Sequence, residues 1–371
     1  MIDLNRRKFL ATGAAAGGAF ALPSLLSAPA IAQSLSGTGQ VVVYDGGGAW
    51  GEAKNIAYFE PFQAETGIEV IRQPSGTVGS LRAGILAGQP AYDVANIGGS
   101  SIDGLARDGL LAPIDYGWFN AGDRDAFNPV AAGEHFVPAL FYSLIIGYDA
   151  DRFSSNAPLN WGDVWDVDVF GGGRSLATGA WGPDGGTFEA ALLADGVPPD
   201  QLYPIDWDRA FRSLDRLKPE IIKFWESGAE AVQLIADRQI SVGSAWNGRI
   251  SGAQEQGLKI GGSWDQGILQ WDAWAVPTGA ANTENAMKFI AFASRPENQA
   301  VFAQNILYGP TNARAFDLLA PDRAMLLPTY PTQRDKQVVQ NYGFWNAADA
   351  GQEANYARAV IEWERWLAGA R

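Results

Sequence analysis

Val41–Ala53 reads VVVYDGGGAWGEA. An apolar run ends in Tyr44 and Asp45, breaks into glycines and resumes at Trp50 with helix-forming residues. Within it Gly46, Gly48 and Gly51 form a G-x-G-x-x-G pattern. Between a strand and a helix, that pattern is the dinucleotide fingerprint, in which the glycines permit a tight turn and let a pyrophosphate approach the backbone. Three details weigh against it. The next strand, EVIRQP, carries Glu69 in its middle and Arg72 near its end, where the fingerprint wants an acidic residue. Trp50 is bulky just before the third glycine. Asp45 would set a carboxylate near the phosphate. The same loop suits a different role. Ligands of open α/β sheets bind outside the carboxyl ends of the strands, and glycines let the loop fold back while Trp50 faces the crevice.

Beyond this stretch, strand and helix signals alternate. Glu52–Glu65 is expected to be helical and to close at Gly67. Strands are expected at Ile68–Ile71 and Tyr92–Ile97, with a short helix at Ser80–Ala87 between them. This β-α-β-α-β order predicts a parallel sheet covered by helices. A second α/β region runs to about Ala275, with a helix at Glu230–Arg238 and a strand at Ile240–Trp246. The remainder is mainly helical. In the last helix Ala359, Trp363 and Trp366 fall near one face, and Leu367 is expected to join them.

A chain of 371 residues accommodates two α/β units. Its net charge of −14 argues against a nucleic-acid partner. With no cysteine and one histidine, thiol nucleophiles and His- or Cys-based metal sites are excluded by count. His135 lies in GEHFVP without a nucleophile elbow nearby and reads as a structural loop residue. Near the N-terminus, Arg6 and Arg7 precede Phe9 and Leu10, a weakly apolar stretch follows, and Ala30 and Ala32 form an A-x-A pattern. Residues 1–32 therefore read as a Tat-type signal peptide, which places the mature chain in the periplasm.

Six phrases stand in a telling order: FQAETGIEV, AYDVANI, NWGDVWD, SAWNGR, WDAWAVP and LYGPTN. Together they resemble the periplasmic solute-binding proteins of bacterial ABC importers, and within them the polyamine (spermidine/putrescine) subgroup, from about Val41 to the C-terminus. The resemblance implies an α/β, two-lobed periplasmic-binding-protein (type II) fold with hinge crossovers. Lobe 1 would comprise residues 38–145 plus 275–310, and lobe 2 residues 146–274 plus 311–371. It implies no cofactor and no catalytic set. The implied partners are a small amine-bearing solute and the membrane subunits of an ABC permease, with the protein itself a monomer.

The resemblance also places the cleft. Trp50 is the aromatic of the first loop, and Ser100 and Ser101 line the first lobe. Phe141 and Tyr142 lie on the first crossing. Trp181 and Asp184 belong to the second-lobe loop, Trp246 is a stacking tryptophan, and Asp272 takes a ligand ammonium. Tyr308 lies on the third crossing, and Asn346 is a polar contact from the C-terminal helices. The residues support this chemistry independently. Fourteen Trp and eleven Tyr supply faces for cation–π contact, and a buried ammonium needs a carboxylate. Asp272, flanked by Trp271 and Trp274, offers both.

Two departures bear on the solute. Polyamine binders usually carry two carboxylates in the second-lobe loop. Here Asp184 stands there, with Glu189 already in a helix. Arg249 follows closely after Trp246; if it faces the cleft it would repel a polyamine and clamp a carboxylate. A polyamine leads on the chain-long resemblance, and a zwitterion such as 4-aminobutyrate is the alternative. From another class, an exported dinucleotide-dependent oxidoreductase is the rival reading.

Overall fold

The computed structural model describes residues 34–74, 76–128, 130–348 and 353–369. The expected leader, with Arg6, Arg7, Ala30 and Ala32, lies outside them. The apolar run at the opening of the sheet forms β1 (Gln40–Asp45), which pairs in parallel with β2 (Glu69–Pro74). A parallel bridge between Val43 and Val94 brings in β3 (Ala95–Gly98). The connection from β1 to β2 is helical from Gly48, earlier than expected. It runs as Gly48–Lys54, a π-turn Asn55–Phe59, and Glu60–Thr66, and it stops at Gly67, whose φ of 77° is left-handed.

Two long strands carry the architecture. β4 (Val137–Asp149) and β8 (Ile260–Ala275) pair antiparallel along most of their length. The other strands are β5 (Arg174–Ala177), β6 (Ile221–Trp225), β7 (Val242–Trp246) and β9 (Val338–Val339). Among the described residues the order is β3-β8-β4-β7-β5-β6, with β9 beside β8. Residues Val137 to Gly147 are buried without interruption, the mark of a strand covered on both faces.

β4 serves two cores in turn. Its first half, including Val137, Leu140 and Tyr142, packs with Val41, Val43, Phe59, Phe62 and Phe289. Its second half, Leu144 to Ile146, packs with Trp161, Phe188, Trp207 and Trp225. The change of core falls at Ser143, whose backbone N–H donates to Asn247 Oδ1 at 2.9 Å. β8 makes the same passage in reverse, from Ile268 in one core to Trp274 in the other. Each core holds many buried aromatic and aliphatic side chains, each contributing roughly 1.5–3 kcal/mol on burial, so each half has its own hydrophobic support. Leu144 and Ile268 on one side, and Tyr142 and Trp274 on the other, tie the halves together.

After the third passage the chain does not go directly to the second core. Ala315, Leu319 and Leu327 pack with Ala300, Ala303 and Leu307 in a small cluster of their own. The final helix, Asn355–Leu367, joins the second core through Ala359, Trp363 and Trp366. Leu367 does not join them: it ends the helix 44% exposed, beyond the last turn that the core reaches. Among the described residues, no helix is long and apolar enough to cross a membrane.

Candidate functional site

Between the two cores, side chains from both halves meet. The glycine loop comes first. A Cβ on Gly46 would lie 2.5 Å from the Trp50 ring, and one on Gly51 would lie 2.6 Å from the Asp45 carboxylate. Gly48 has a φ of +58°, and a Cβ there would meet the Arg249 guanidinium at 2.8 Å. The three glycines thus admit a tryptophan, a carboxylate and an arginine. Asp45 accepts from the Gly47 N–H at 3.0 Å and from Arg72 Nε at 2.7 Å. A cavity of about 300 Å³ beside them is lined by Asp45, Gly46, Gly47, Arg72 and Pro74. A pyrophosphate there would meet the carboxylate, which explains why the fingerprint is not a nucleotide site.

From the second half, β7 ends at Trp246 and passes directly into the helix Asn247–Glu255. Trp246 lies parallel to Trp181, with ring centroids 5.7 Å apart and planes at 16°. It meets Trp225 edge-on at 5.0 Å and Tyr142 at 6.0 Å. One turn into the helix, Arg249 is 9% exposed. Its Nη1 approaches the Gly47 carbonyl at 3.5 Å across the interface, and its charge is felt by the Tyr308 hydroxyl. Its Nε is buried without an acceptor. Arg249 therefore points inward, where a backbone carbonyl and a phenol are incomplete compensation for a buried guanidinium.

The carboxylates form the opposite character. Asp184 sits in the 3₁₀ segment Gly179–Gly185 and accepts from the Ser100 hydroxyl of the facing half. Burial pushes its carboxyl up to about 6; the Ser100 hydrogen bond opposes this and Glu189 adds to it. Asp272 lies on β8 opposite Gly98 of β3 and Leu140 of β4. Burial, then the neighbouring Asp184, pushes it up to about 7, against a hydrogen bond from Tyr142 and the charge of Lys54. Trp181, Asp184, Trp246 and Asp272 each keep partial exposure, whereas Trp50, Ser100, Tyr142 and Tyr308 are buried.

A buried polar network holds the Asp184 segment. Gln270 Nε2 donates to the carbonyls of Pro183 and Asp184, both at 3.2 Å, and Gln340 Nε2 donates to Pro183 at 2.7 Å. Glu189, fully buried, accepts from Tyr203, Gln340 and Trp345; it supports the loop and does not face the site. Behind the same loop lies the C-terminal helix. A Cβ on Gly182 would come within 2.9 Å of the Tyr356 carbonyl, and one on Gly179 within 2.3 Å of the Trp363 ring.

Of the residues expected at the site, Trp50, Ser100, Tyr142, Trp181, Asp184, Trp246, Arg249, Asp272 and Tyr308 converge. Two take other places. Ser101 Oγ turns back to the Gly98 carbonyl at 3.3 Å within its own helix start. Asn346 is buried and ties the C-terminal segment to the first half, donating to the Gly99 carbonyl at 3.1 Å and accepting from the Gly104 N–H at 3.3 Å. Trp271 also departs from expectation. Alternation along β8 sends it to the opposite face from Asp272, where it stacks on Phe136 at 5.6 Å. Trp274, two residues from Asp272, shares its face.

One participant is not evident from the sequence. Lys54 is fully buried, and its Nζ donates to the Tyr44 carbonyl at 2.6 Å. It sits over Trp50 at 4.3 Å, Trp274 at 5.0 Å, Tyr44 at 5.4 Å and Phe59 at 5.5 Å. Burial pushes its ammonium down to about 7, against the attraction of Asp45 and Asp272. A signal is nonetheless present: Lys54 follows Trp50 by four residues, so a helix that turns Trp50 toward the crevice turns Lys54 with it.

Two α/β halves, joined by long crossing strands and meeting across aromatic and charged side chains, define a solute-binding protein. The chain belongs to the bacterial extracellular solute-binding protein family, which matches residues 57–328. It is 35% identical to the gamma-aminobutyric acid-binding protein of Pseudomonas aeruginosa, over 90% of this chain and 92% of that one. It is 26% identical to the spermidine/putrescine-binding periplasmic protein of Escherichia coli, over 80% and 84%. Its fold matches that of an ABC transporter substrate-binding protein from Bradyrhizobium japonicum with a TM-score of 0.79 and 33% identity, over 89% of this chain and 99% of that one. The resemblance and the two-lobed fold class are thereby borne out. The rival reading as an oxidoreductase is set aside: the family binds solutes and is not enzymatic.

Proposed function

We propose that this protein captures a small solute bearing one ammonium and one carboxylate, of the 4-aminobutyrate type, and delivers it in the periplasm to an ABC permease. The observation that carries the solute class is Arg249. A guanidinium buried at the interface, with an Nε that has no acceptor, calls for an anion, and a carboxylate answers it bidentately. Asp272, with Asp184 and Tyr142 beside it, takes the ammonium. Tyr308 feels both Asp272 and Arg249, so both ends of such a solute would be near it. Trp246 and Trp181 supply the apolar wall for the methylenes. The 35% identical relative that is named for gamma-aminobutyric acid supports the same class.

Capture follows from geometry. A solute touching Asp272 on the crossing strand, Arg249 from one half and the glycine loop from the other stabilises the closed arrangement over an open one by its differential contacts. The pivot lies where Asn247 joins the Ser143 N–H to the Leu307 carbonyl. On this reading the lobes are those expected from the sequence, except that 313–327 rides with the first, and the protein acts as a monomer.

Calorimetric titration of 4-aminobutyrate and putrescine into wild type and Arg249→Ala tests the solute class. The expected result is 4-aminobutyrate binding that weakens by at least about 2 kcal/mol in the mutant. The pair Asp184 and Asp272 favours a second reading, a diamine. Wild type that binds putrescine tightly and 4-aminobutyrate weakly, with putrescine binding unchanged in Arg249→Ala, would establish that reading instead. Export through the Tat route is inferred from Arg6 and Arg7. Replacing both with lysine is expected to leave precursor in the cytoplasm, and normal periplasmic accumulation would refute the route.

A further inference from the structure

We infer that Lys54 is a specificity-determining residue: its side chain fills the aromatic box on the first-lobe side of Asp272 and withholds from solutes the position a second ammonium would take. This inference rests on the assignment of Asp272 to the solute ammonium and Arg249 to its carboxylate. The box has the chemistry of a cation site. Four ring faces lie 4.3–5.5 Å from Nζ, the Tyr44 carbonyl accepts at 2.6 Å, and Asp45 and Asp272 both favour positive charge there. These are the elements by which proteins recognise ammonium ligands. Here the protein's own chain supplies the occupant.

Packing alone does not call for a lysine at this position. Its hydrogen-bond acceptor is a carbonyl and not a carboxylate, and an apolar side chain of similar length would fill the space without the cost of desolvating an ammonium. What the lysine adds is exclusion by volume and by charge. Two cationic groups, Lys54 and Arg249, act on the surroundings of Asp272. Both are registered electrostatically by the groups around it: Lys54 by Asp272 itself, Arg249 by Tyr308, which also feels Asp272. A solute with its ammonium at Asp272 can extend toward Arg249 only if that end is anionic. It cannot extend toward Lys54, because the box is full. A diamine thus meets a cation in both directions, whereas an amino carboxylate meets one cation it can pair with.

The test is calorimetric titration of putrescine and 4-aminobutyrate into the full mature chain of wild type, Lys54→Met, Lys54→Gln and Lys54→Arg, with circular dichroism to verify folding. Lys54→Met and Lys54→Gln are expected to gain putrescine affinity by about tenfold or more, a larger factor than any accompanying change in 4-aminobutyrate affinity. Lys54→Arg, which keeps a cation in the box, is expected to show no gain. Putrescine binding that stays unchanged or weakens in the folded Met and Gln variants, or rises equally in the Arg variant, overturns the inference. Wild type that fails to bind 4-aminobutyrate overturns the solute assignment on which the inference rests; wild type that binds it, with no gain of putrescine binding on removing Lys54, overturns the inference alone.

Discussion

The two walls that face Asp272 are both built from tryptophan, yet they present different surfaces. On the second-lobe side Trp246, stacked on Trp181 and edged by Trp225, meets other rings and keeps partial exposure toward the interface. On the first-lobe side Trp50 also sits at the end of a strand and a glycine loop, but Lys54 lies 4.3 Å from its ring. One wall keeps partly exposed rings, and the other has committed a ring face to a lysine. An aromatic residue in a cleft is therefore not a ligand contact by position alone. What already lies on its face decides whether a solute can use it.

Asp272 stands between the walls, and removing its charge should have the largest effect. Asp272→Asn keeps the shape and a hydrogen-bonding partner for Tyr142, yet it is expected to weaken amine binding by about 3 kcal/mol, since a buried ammonium is left without its counter-charge. The pH profile gives the sign. Asp272 sits at about 7 and Asp184 at about 6, both raised chiefly by burial. Below those values the carboxyls hold protons that an incoming ammonium must displace. Wild-type affinity is therefore expected to fall as pH drops from 8 to 5, with proton release on binding measurable in buffers of different ionisation enthalpy. Asp272→Asn should remove the upper step and leave the lower one. A flat wild-type profile would show that neither carboxylate meets the ammonium.

The walls themselves come next. Trp246→Ala is expected to cost about 1–3 kcal/mol of binding through lost ring contact and apolar burial, with far-UV circular dichroism unchanged. Trp50→Leu is expected to cost less than about 1 kcal/mol of binding, because the solute has little access to that ring. Its effect should appear instead in thermal stability, as buried aromatic truncations do. Calorimetry and thermal unfolding of the two variants side by side would break the comparison if their binding losses proved equal.

Much of this arrangement is legible in the chain. The strand–glycine–helix opening and Trp246 at a strand end follow from local pattern, because period and turn residues act over short distances, whereas the crossing at Phe141 and Tyr142 comes from the likeness to the family. Three features are not. Adjacency pairs Trp271 with Asp272, but strand alternation separates them. Likeness places Ser101 and Asn346 in the cleft, while their hydrogen bonds serve helix starts. Lys54 lies in GEAK, which reads as an ordinary solvated helix segment. Its spacing of four residues from Trp50 is the one local hint; the packing of Trp274 from 220 residues later, which completes the box over it, leaves no local trace.

The C-terminal helix has a practical consequence. Its residues Tyr356 and Trp363 press directly on Gly182 and Gly179, the backbone of the segment that carries Trp181 and Asp184, while its far end at Leu367 reaches solvent. A displacement of that segment must be felt along the helix, since neither glycine has room to move toward it. The exposed end is thus a natural place for a fluorophore or a fused reporter: a label there would read occupancy from behind the binding surface without touching the solute. The same contact warns that an affinity tag attached tightly at this end can bias the signal it is meant only to recover.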